Sequence, residues 1–231
     1  MKYTTVLMDA DETILDFFRT EENALRRSFA HFGFPFAKDT HPIYHEINQK
    51  LWHEFSMGRL DKPTLTVRRF SELFSVLGLD ADPVAFKECY EGWIGQGYYT
   101  IPGAEELLQT LRSMGCALYC TTNGLKRTQY SRLSGAGLLQ YFEKLFISEE
   151  AGSQKPQRAY FDYVFASVPE KNPEKFLLVG DSLTTDIAGG NNAGIDTVWY
   201  NPSGEVRGEG DAQPTYEVKT LAEIPGIVSG E

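Results

Sequence analysis

Short apolar runs alternate along much of this chain with segments whose apolar residues recur every three or four positions. The first pattern is typical of buried strands, and the second is typical of amphipathic helices such as Ala104–Met114 and Ala159–Val168. Their regular alternation predicts a mainly parallel sheet with helices on both faces. The predicted strands are Thr4–Met8, Ala117–Cys120, Leu145–Ser148, Phe176–Val179 and Thr197–Tyr200.

One long interval breaks this alternation, because no strand pattern occurs between the first and second predicted strands. The interval contains amphipathic segments separated by glycines and prolines, which predicts an all-α insertion. We therefore expect an α/β core with a Rossmann-like sheet, formed by residues 1–16 and 99–231, and a helical cap domain formed by residues 17–98. The predicted cap helices are Glu21–Phe32, Ile43–Phe55, Leu65–Leu77 and Val84–Trp93.

The composition is that of a globular protein and argues against several classes of partner. Hydrophobic residues make up 42% of the 231 residues, which is enough for a sizeable core. The net charge of -10 disfavours nucleic acids and anionic membranes as partners, because both require a basic surface. A small phosphorylated metabolite remains compatible, since one cation can reverse the field at a single site. We expect a monomer or a weak homodimer.

The cysteines and the beginning of the chain bear on its location. Cys89, Cys116 and Cys120 contain no CxxC pair and predict neither a disulfide framework nor a zinc knuckle. No signal-peptide pattern precedes the first strand, and no apolar run approaches membrane-spanning length. We therefore expect reduced thiols and a cytoplasmic location.

Polar residues follow four of the predicted strands. Ligands of open α/β sheets bind beyond the carboxyl ends of the strands, so we expect these polar groups to meet at one edge. Carboxylates crowded at a buried edge need a countercharge, which a hard dication such as Mg²⁺ supplies. In chain order the residues are Asp9, Asp11, Thr13, Thr122, Asn123, Gly124, Lys155, Asp181 and Asp186.

Each of these segments also has an ordinary structural explanation when it is taken alone. The acidic segment after the first strand can be a turn, and Thr122-Asn123-Gly124 can be a turn or a helix cap. An exposed loop lysine is common, and aspartates are favourable near helix N-termini. Their order along the chain and their shared position at strand ends favour a common chemical task.

A histidine pair in the predicted cap is a separate candidate for metal binding. His41 and His45 are spaced i and i+4, which can place two imidazoles on one helix face. Pro42 lies between them and the sequence reveals no third ligand, so a structural role is the favoured interpretation and a zinc site the alternative.

Together, the segments at the strand ends resemble the four motifs of the haloacid dehalogenase-superfamily phosphatases with a helical C1 cap. Asp9-x-Asp11-x-Thr13 matches the first motif, and Thr122 followed by Asn123-Gly124 matches the second. Lys155-Pro156 matches the third, and Gly180-Asp181-x4-Asp186 matches the fourth. The phrases "LWHEFSMGRL", "ISEEAGSQKP" and "DIAGGNNAGIDTVWYN" are similar to the cytoplasmic pyrimidine 5′-nucleotidase branch of that superfamily.

The resemblance implies phosphomonoester hydrolysis through an aspartyl-phosphate. Asp9 would be the nucleophile, and Asp11 would act as general acid and then as general base. Thr122, Asn123 and Lys155 would bind the phosphate, with Thr122 and Lys155 stabilising the transition state. Dehalogenases of the superfamily lack the second aspartate, so Asp11 favours phosphate over carbon–halogen chemistry.

The resemblance also implies one Mg²⁺ ion as cofactor. Asp9, the backbone carbonyl of Asp11 and Asp181 would be its protein ligands. Asp186 would lie outside this ligand set and orient a metal-bound water or Lys155.

The substrate is the least determined part of this interpretation. A pyrimidine nucleoside 5′-monophosphate is the favoured one. The open alternatives are a phosphatase of another small metabolite (phosphoglycolate, a sugar phosphate or an acylneuraminate phosphate), a phosphomutase, and a non-catalytic binding module.

Overall fold

The computed structural model describes residues Met1 to Glu231, which divide into two compact units. One unit combines Met1–Phe17 with Tyr98–Glu231, and the other is Phe18–Gly97. None of the helices has both the length and the apolar character needed to cross a membrane. The elements are β1 (Thr5–Met8), α1 (Phe17–His31), α2 (Thr40–Ser56), α3 (Lys62–Leu77), α4 (Pro83–Ile94), α5 (Ala104–Ser113), β2 (Ala117–Thr122), α6 (Lys126–Gly135), β3 (Lys144–Ile147), α7 (Ser148–Ala151), α8 (Arg158–Ser167), β4 (Phe176–Gly180), α9 (Ala188–Ala193), β5 (Asp196–Tyr200), β6 (Tyr216–Val218) and α10 (Ile224–Ser229).

The larger unit contains a six-stranded sheet with the strand order β3-β2-β1-β4-β5-β6. Every neighbouring pair of strands is parallel. The first strand therefore lies in the middle of the sheet, and Met8 at its end is in register with Cys120 of β2 and Val179 of β4. This register brings the segments that follow β1, β2 and β4 to the same edge. The predicted α/β class with a parallel sheet is confirmed.

Both faces of the sheet are covered by helices, as the near-continuous apolar character of its strands predicts. On one face, Val6 and Met8 pack in a cluster with Leu108 of α5. On the other face, Leu7 packs in a cluster with Phe161 of α8. Alternate residues of β1 are buried on opposite sides, and the charged residues of this segment come only after the strand ends.

The smaller unit, which we call the helical unit, contains α2 to α4 and all of α1 except its first residue. Its interior is aromatic, and the ring centroids of Phe70 and Phe86 lie 5.0 Å apart. Helix α3 begins at a proline-containing first turn, where the Asp61 side chain accepts a hydrogen bond from the Thr64 backbone N–H at 2.7 Å. It ends at Leu77 and is capped by Gly78, whose φ of 64° is a left-handed conformation that favours glycine.

Several short elements have no counterpart among the sequence-based predictions. Strand β6 has only three residues and is held by pairing with β5 rather than by a pattern of its own. Helices α7, α9 and α10 have four to six residues, too few to show a helical period. Helix α6 has ten residues but buries Gln129 and Arg132, so its inner face does not appear apolar in the sequence.

Candidate active site

Lys155 lies at the centre of the polar groups gathered at the edge of the sheet. Its ammonium Nζ donates hydrogen bonds to Asp9 Oδ1 and Asp186 Oδ1, both at 2.6 Å, and to the backbone carbonyl of Thr121 at 2.9 Å. Its side chain is only 2% exposed. A buried ammonium is stable only when it is paired and hydrogen-bonded, and these three acceptors supply both conditions.

The backbone of Lys155 is fixed by the segment that follows β2. The Asn123 side chain donates to the carbonyl of Lys155 at 2.9 Å and accepts from its N–H at 3.0 Å. The peptide bond between Lys155 and Pro156 is cis. The two hydrogen bonds give the Asn123 side chain a role in placing Lys155, and a contact of Asn123 with phosphate stays a prediction.

Three carboxylates converge beside this lysine. Oxygen atoms of Asp9, Asp181 and Asp186 all lie within 4.8 Å of one another. Burial, together with the charges of Asp186 and Asp11, raises the pKa of Asp9 to about 7, although Lys155 opposes the shift. Burial and the charge of Asp9 also raise the pKa of Asp181. One ammonium does not neutralise three carboxylates, so the cluster favours an additional cation.

Asp186 is held from both sides. Its Oδ1 accepts from Lys155, while its Oδ2 accepts from the Ser182 backbone N–H at 3.2 Å. Gly180 makes this position possible, because a Cβ atom there would lie 2.3 Å from Asp186 Cγ. Asp186 therefore acts within the structure as a partner of Lys155.

A tight turn after β1 carries the acidic segment. The N–H groups of Ile14 and Leu15 donate to the carbonyl of Ala10 at 3.0 and 2.8 Å. Glu12 adopts a left-handed conformation with φ of 58°. Thr13 is fully buried, and its hydroxyl lies 3.3 Å from Asp181 Oδ1. The third residue of the first motif thus contributes to positioning the fourth motif.

Asp11 has two partners on α6 that sequence reasoning missed. The Gln129 side chain donates to Asp11 Oδ2 at 2.6 Å, and Arg132 forms an ion pair with Asp11 Oδ1. Arg132 is fully buried, and its guanidinium lies 5.3 Å from the ring centroid of Phe17. A carboxylate held by a cation and an amide has a defined orientation, as a proton-transfer group requires.

Gln129 links Asp11 to Thr122. The same amide nitrogen of Gln129 lies 3.1 Å from the Thr122 hydroxyl, which also accepts from the Gly124 backbone N–H at 3.0 Å. A Cβ atom on Gly124 would lie 2.3 Å from that amide nitrogen. The glycine of the second motif is thus required for the close approach of Gln129.

The spacing of Gln129 and Arg132 is the one sequence feature that could have indicated their shared position. Gln129 and Arg132 lie at i and i+3 in the helix that follows β2, so they share one face with the buried Leu133. Long polar side chains are usually exposed, and for this reason the sequence favours a solvent-facing position for them.

Comparison with known proteins gives a consistent family assignment. Residues 3–194 match the family model described as "Hydrolase: haloacid dehalogenase-like hydrolase". The chain is 40% identical over 230 residues to the HAD-hydrolase YfnB of Bacillus subtilis, covering 100% of this chain and 97% of the relative. A crystal structure of YfnB bound to magnesium matches with a TM-score of 0.93 at 39% identity, covering 99% of this chain and 100% of that one.

Two further relatives have described activities. The pyrimidine 5′-nucleotidase PynA of Streptococcus pneumoniae is 38% identical over 224 residues, covering 97% of this chain and 94% of the relative. The pyrimidine 5′-nucleotidase YjjG of Escherichia coli is 32% identical over 228 residues, covering 99% of each.

Proposed function

The chain belongs to the haloacid dehalogenase-like hydrolase family, and we propose that it hydrolyses phosphomonoesters through an aspartyl-phosphate formed on Asp9. The observation that carries the proposal is the contact of Asp9 with buried Lys155 beside Asp181. A carboxylate next to a fixed cation can approach an anionic phosphoryl group that it would otherwise repel.

A Mg²⁺ ion fits the donor set at this edge. Asp9 and Asp181 offer hard oxygen ligands, and burial together with neighbouring carboxylates raises the pKa of both, so a cation would favour their ionised forms. Asp9, Asp181 and the backbone carbonyl of Asp11 would hold the ion, since both oxygens of Asp186 already have partners. When bound, Mg²⁺ neutralises charge on the phosphoryl oxygens.

The reaction then proceeds in two displacements at phosphorus. An oxygen of Asp9 attacks phosphorus and forms a P–O bond, while the bond from phosphorus to the leaving oxygen breaks. Asp11, which must be protonated when substrate binds, gives that proton to the leaving oxygen and becomes a carboxylate paired with Arg132. Asp11 next takes a proton from water, whose oxygen attacks phosphorus and releases phosphate and the Asp9 carboxylate. Gln129 and Arg132 hold Asp11 in position for both transfers.

Two groups stabilise the phosphoryl oxygens during both steps. The Lys155 ammonium provides a fixed positive charge, and the Thr122 hydroxyl, which accepts from Gly124 and Gln129, keeps its own proton to donate. Because Lys155 is already held by three protein acceptors, its charge needs little reorganisation when the transition state forms.

We assign pyrimidine nucleoside 5′-monophosphates as the preferred substrates. The two pyrimidine 5′-nucleotidases match along nearly the whole chain, including the helical unit. A small phosphorylated metabolite also agrees with the net charge of -10, which disfavours a polyanionic partner.

The test is a phosphate-release assay of the purified protein over a panel of phosphomonoesters. The panel includes pyrimidine and purine nucleoside monophosphates, phosphoglycolate, sugar phosphates and acylneuraminate phosphate. We expect Mg²⁺-dependent release that is highest with UMP, CMP or dTMP and absent in Asp9→Asn. Asp162→Asn, at an exposed aspartate of α8, is the matched control and should keep full activity.

The outcomes separate the parts of the proposal. Highest activity with a sugar phosphate or phosphoglycolate would overturn the assignment of nucleotide substrates but would agree with phosphomonoester hydrolysis. Isomerisation of a sugar phosphate with little free phosphate would identify a phosphomutase. Unchanged phosphate release by Asp9→Asn would contradict the mechanism.

A further inference from the structure

A buried carboxylate in the helical unit is surrounded by nitrogen donors. Glu21 of α1 is fully buried, and its Oε2 lies 2.9 Å from His41 Nε2 and 2.6 Å from His45 Nδ1, both on α2. Asn48, one turn further along α2, donates to the other oxygen at 2.8 Å. A charged carboxylate is rarely placed in a helical core without a specific purpose.

We propose that Glu21, His41 and His45 form a binding site for a transition-metal dication of the Zn²⁺ class. One carboxylate oxygen and two imidazole nitrogens, all within 4.8 Å of one another, provide the three protein ligands. Zinc sites with three protein ligands complete a tetrahedron with water. The side chain of His45 is 27% exposed, which gives solvent a route to the fourth position.

The donor chemistry separates this site from the carboxylate cluster of the larger unit. Imidazole nitrogens favour Zn²⁺, Co²⁺ or Ni²⁺, whereas all-oxygen sites favour Mg²⁺. The two sites share no residue, so the inference does not depend on the proposed phosphatase activity.

The helix geometry explains how two residues flanking a proline become ligands on the same side. Helix α2 begins at Thr40, so Pro42 lies in the first turn, where a missing backbone N–H costs nothing. The helix continues without interruption, and the i, i+4 spacing places His41 and His45 on one face. The third ligand that the sequence did not reveal comes from α1.

The surroundings hold the ligands in orientation. Arg69 of α3, itself buried, donates to Asn48 Oδ1 at 3.3 Å and thereby fixes the amide that orients Glu21. The ring of Phe18 packs edge-on against both imidazoles, with centroid distances of 4.7 Å to His41 and 5.0 Å to His45. Such outer contacts commonly tune metal affinity by about 10- to 100-fold.

Glu21 is ready to bind a cation, whereas the two imidazoles must first move a proton. Glu21 Oε2 accepts from both imidazoles and Oε1 accepts from Asn48, and hydrogen bonds to both oxygens favour the ionised carboxylate. Without a metal, the two facing ring nitrogens donate N–H to Oε2. On metal binding these nitrogens offer their lone pairs, and each displaced proton moves to the other ring nitrogen or to water.

The first experiment uses the unmodified chain and nuclear magnetic resonance of its histidine rings. Zn²⁺ is titrated in the presence of excess Mg²⁺, which occupies oxygen-only sites. We expect the ring signals of His41 and His45 to shift and saturate at one equivalent, while those of exposed His31 and His53 stay unchanged. Absence of a shift at His41 and His45, or equal shifts at all four histidines only at excess zinc, would overturn the proposal.

The second experiment uses Co²⁺ as an optical probe in matched variants. Glu21→Gln removes the ligand charge while keeping the side-chain shape, and we expect it to weaken Co²⁺ binding by at least about tenfold. His53→Ala, on the same helix and exposed, should bind as the unmodified chain does. Circular dichroism verifies that each variant is folded. Loss of the Co²⁺ bands in Asp181→Asn, with retention in Glu21→Gln, would assign the ion to the carboxylate cluster and contradict the proposal.

Discussion

At the residue scale, the candidate active site depends on one buried cation placed among carboxylates. Lys155 contacts Asp9 and Asp186 directly. These two carboxylates stabilise its positive charge and offset the cost of burying it. These contacts raise the pKa of Lys155 despite burial, which alone would lower it. The ammonium is therefore charged throughout the neutral pH range and can serve phosphate binding without a proton-transfer step.

Removal of that cation should disable turnover. In Lys155→Met, the carboxylates lose their fixed countercharge and the phosphoryl oxygens lose a nearby positive charge, so we expect kcat to fall by about 100- to 1,000-fold. Steady-state phosphate release measures the change. Lys126→Ala is the matched control, because that lysine is exposed on α6. A Lys155→Met protein that is folded and retains the kcat of the parent would contradict the role of Lys155.

Residues at strand ends could be predicted from the sequence, whereas residues that approach from helices could not. Asp9 and Asp181 directly follow apolar runs, so their position is set by the strands. Gln129, Arg132 and Glu21 are polar residues within helices, which are exposed in most proteins. They are buried here because residues distant in sequence pair with them through hydrogen bonds or ion pairs. No local sequence pattern predicts which residues those partners are.

At the element scale, two glycines permit side chains to approach the strand ends. Gly124 accommodates Gln129 after β2, and Gly180 accommodates Asp186 at the end of β4. The sequence predicted the long strands because their apolar runs are continuous. It did not predict β6, because a three-residue strand at the sheet edge depends on its neighbour.

A methyl group at the end of β4 should therefore disturb the site. In Gly180→Ala, the new Cβ atom would lie 2.3 Å from Asp186 Cγ, so Asp186 must move and Lys155 loses an acceptor. We expect kcat to fall by at least about tenfold, as displacement of an outer-shell partner commonly does. Gly226→Ala is the control, because its Cβ atom would meet nothing within 4 Å. Equal kinetics for the two variants would show that Asp186 does not need its observed position.

At the scale of the whole molecule, the chain carries its candidate chemistry in two compact units. The larger unit, Met1–Phe17 with Tyr98–Glu231, contains an all-oxygen cluster. The helical unit, Phe18–Gly97, contains a mixed nitrogen and oxygen cluster. The existence of a helical insertion could be predicted from the long interval without strands, but its buried cluster could not.

The raised pKa values of the carboxylates determine how Mg²⁺ should affect stability. The pKa of Asp9 is about 7 in the folded chain, against about 3.9 for an unfolded aspartate. Without Mg²⁺, the folded chain binds the Asp9 proton more tightly than the unfolded chain does. The contribution of Asp9 therefore lowers the free energy of unfolding as the pH rises from about 4 to about 7. Mg²⁺ at the proposed site would bind the ionised form and offset this loss of stability.

We therefore expect Mg²⁺ to raise the melting temperature more at about pH 8 than at about pH 5. Thermal unfolding with and without a chelator measures the difference. Asp181→Asn, which lacks one proposed ligand, should show a smaller increase at both pH values. A larger stabilisation at the acidic pH would contradict binding through ionised Asp9 and Asp181.

The central claim is that Asp9 carries the phosphoryl group during turnover, and acid quenching tests it most directly. The enzyme is mixed with Mg²⁺ and a nucleoside monophosphate that carries a radiolabelled phosphate, and the protein is isolated after quenching. We expect label on the protein that is stable to acid, is released by hydroxylamine as an acyl phosphate, and is absent in Asp9→Asn. Turnover without labelled protein at any quench time, or equal labelling of Asp9→Asn, would contradict the account.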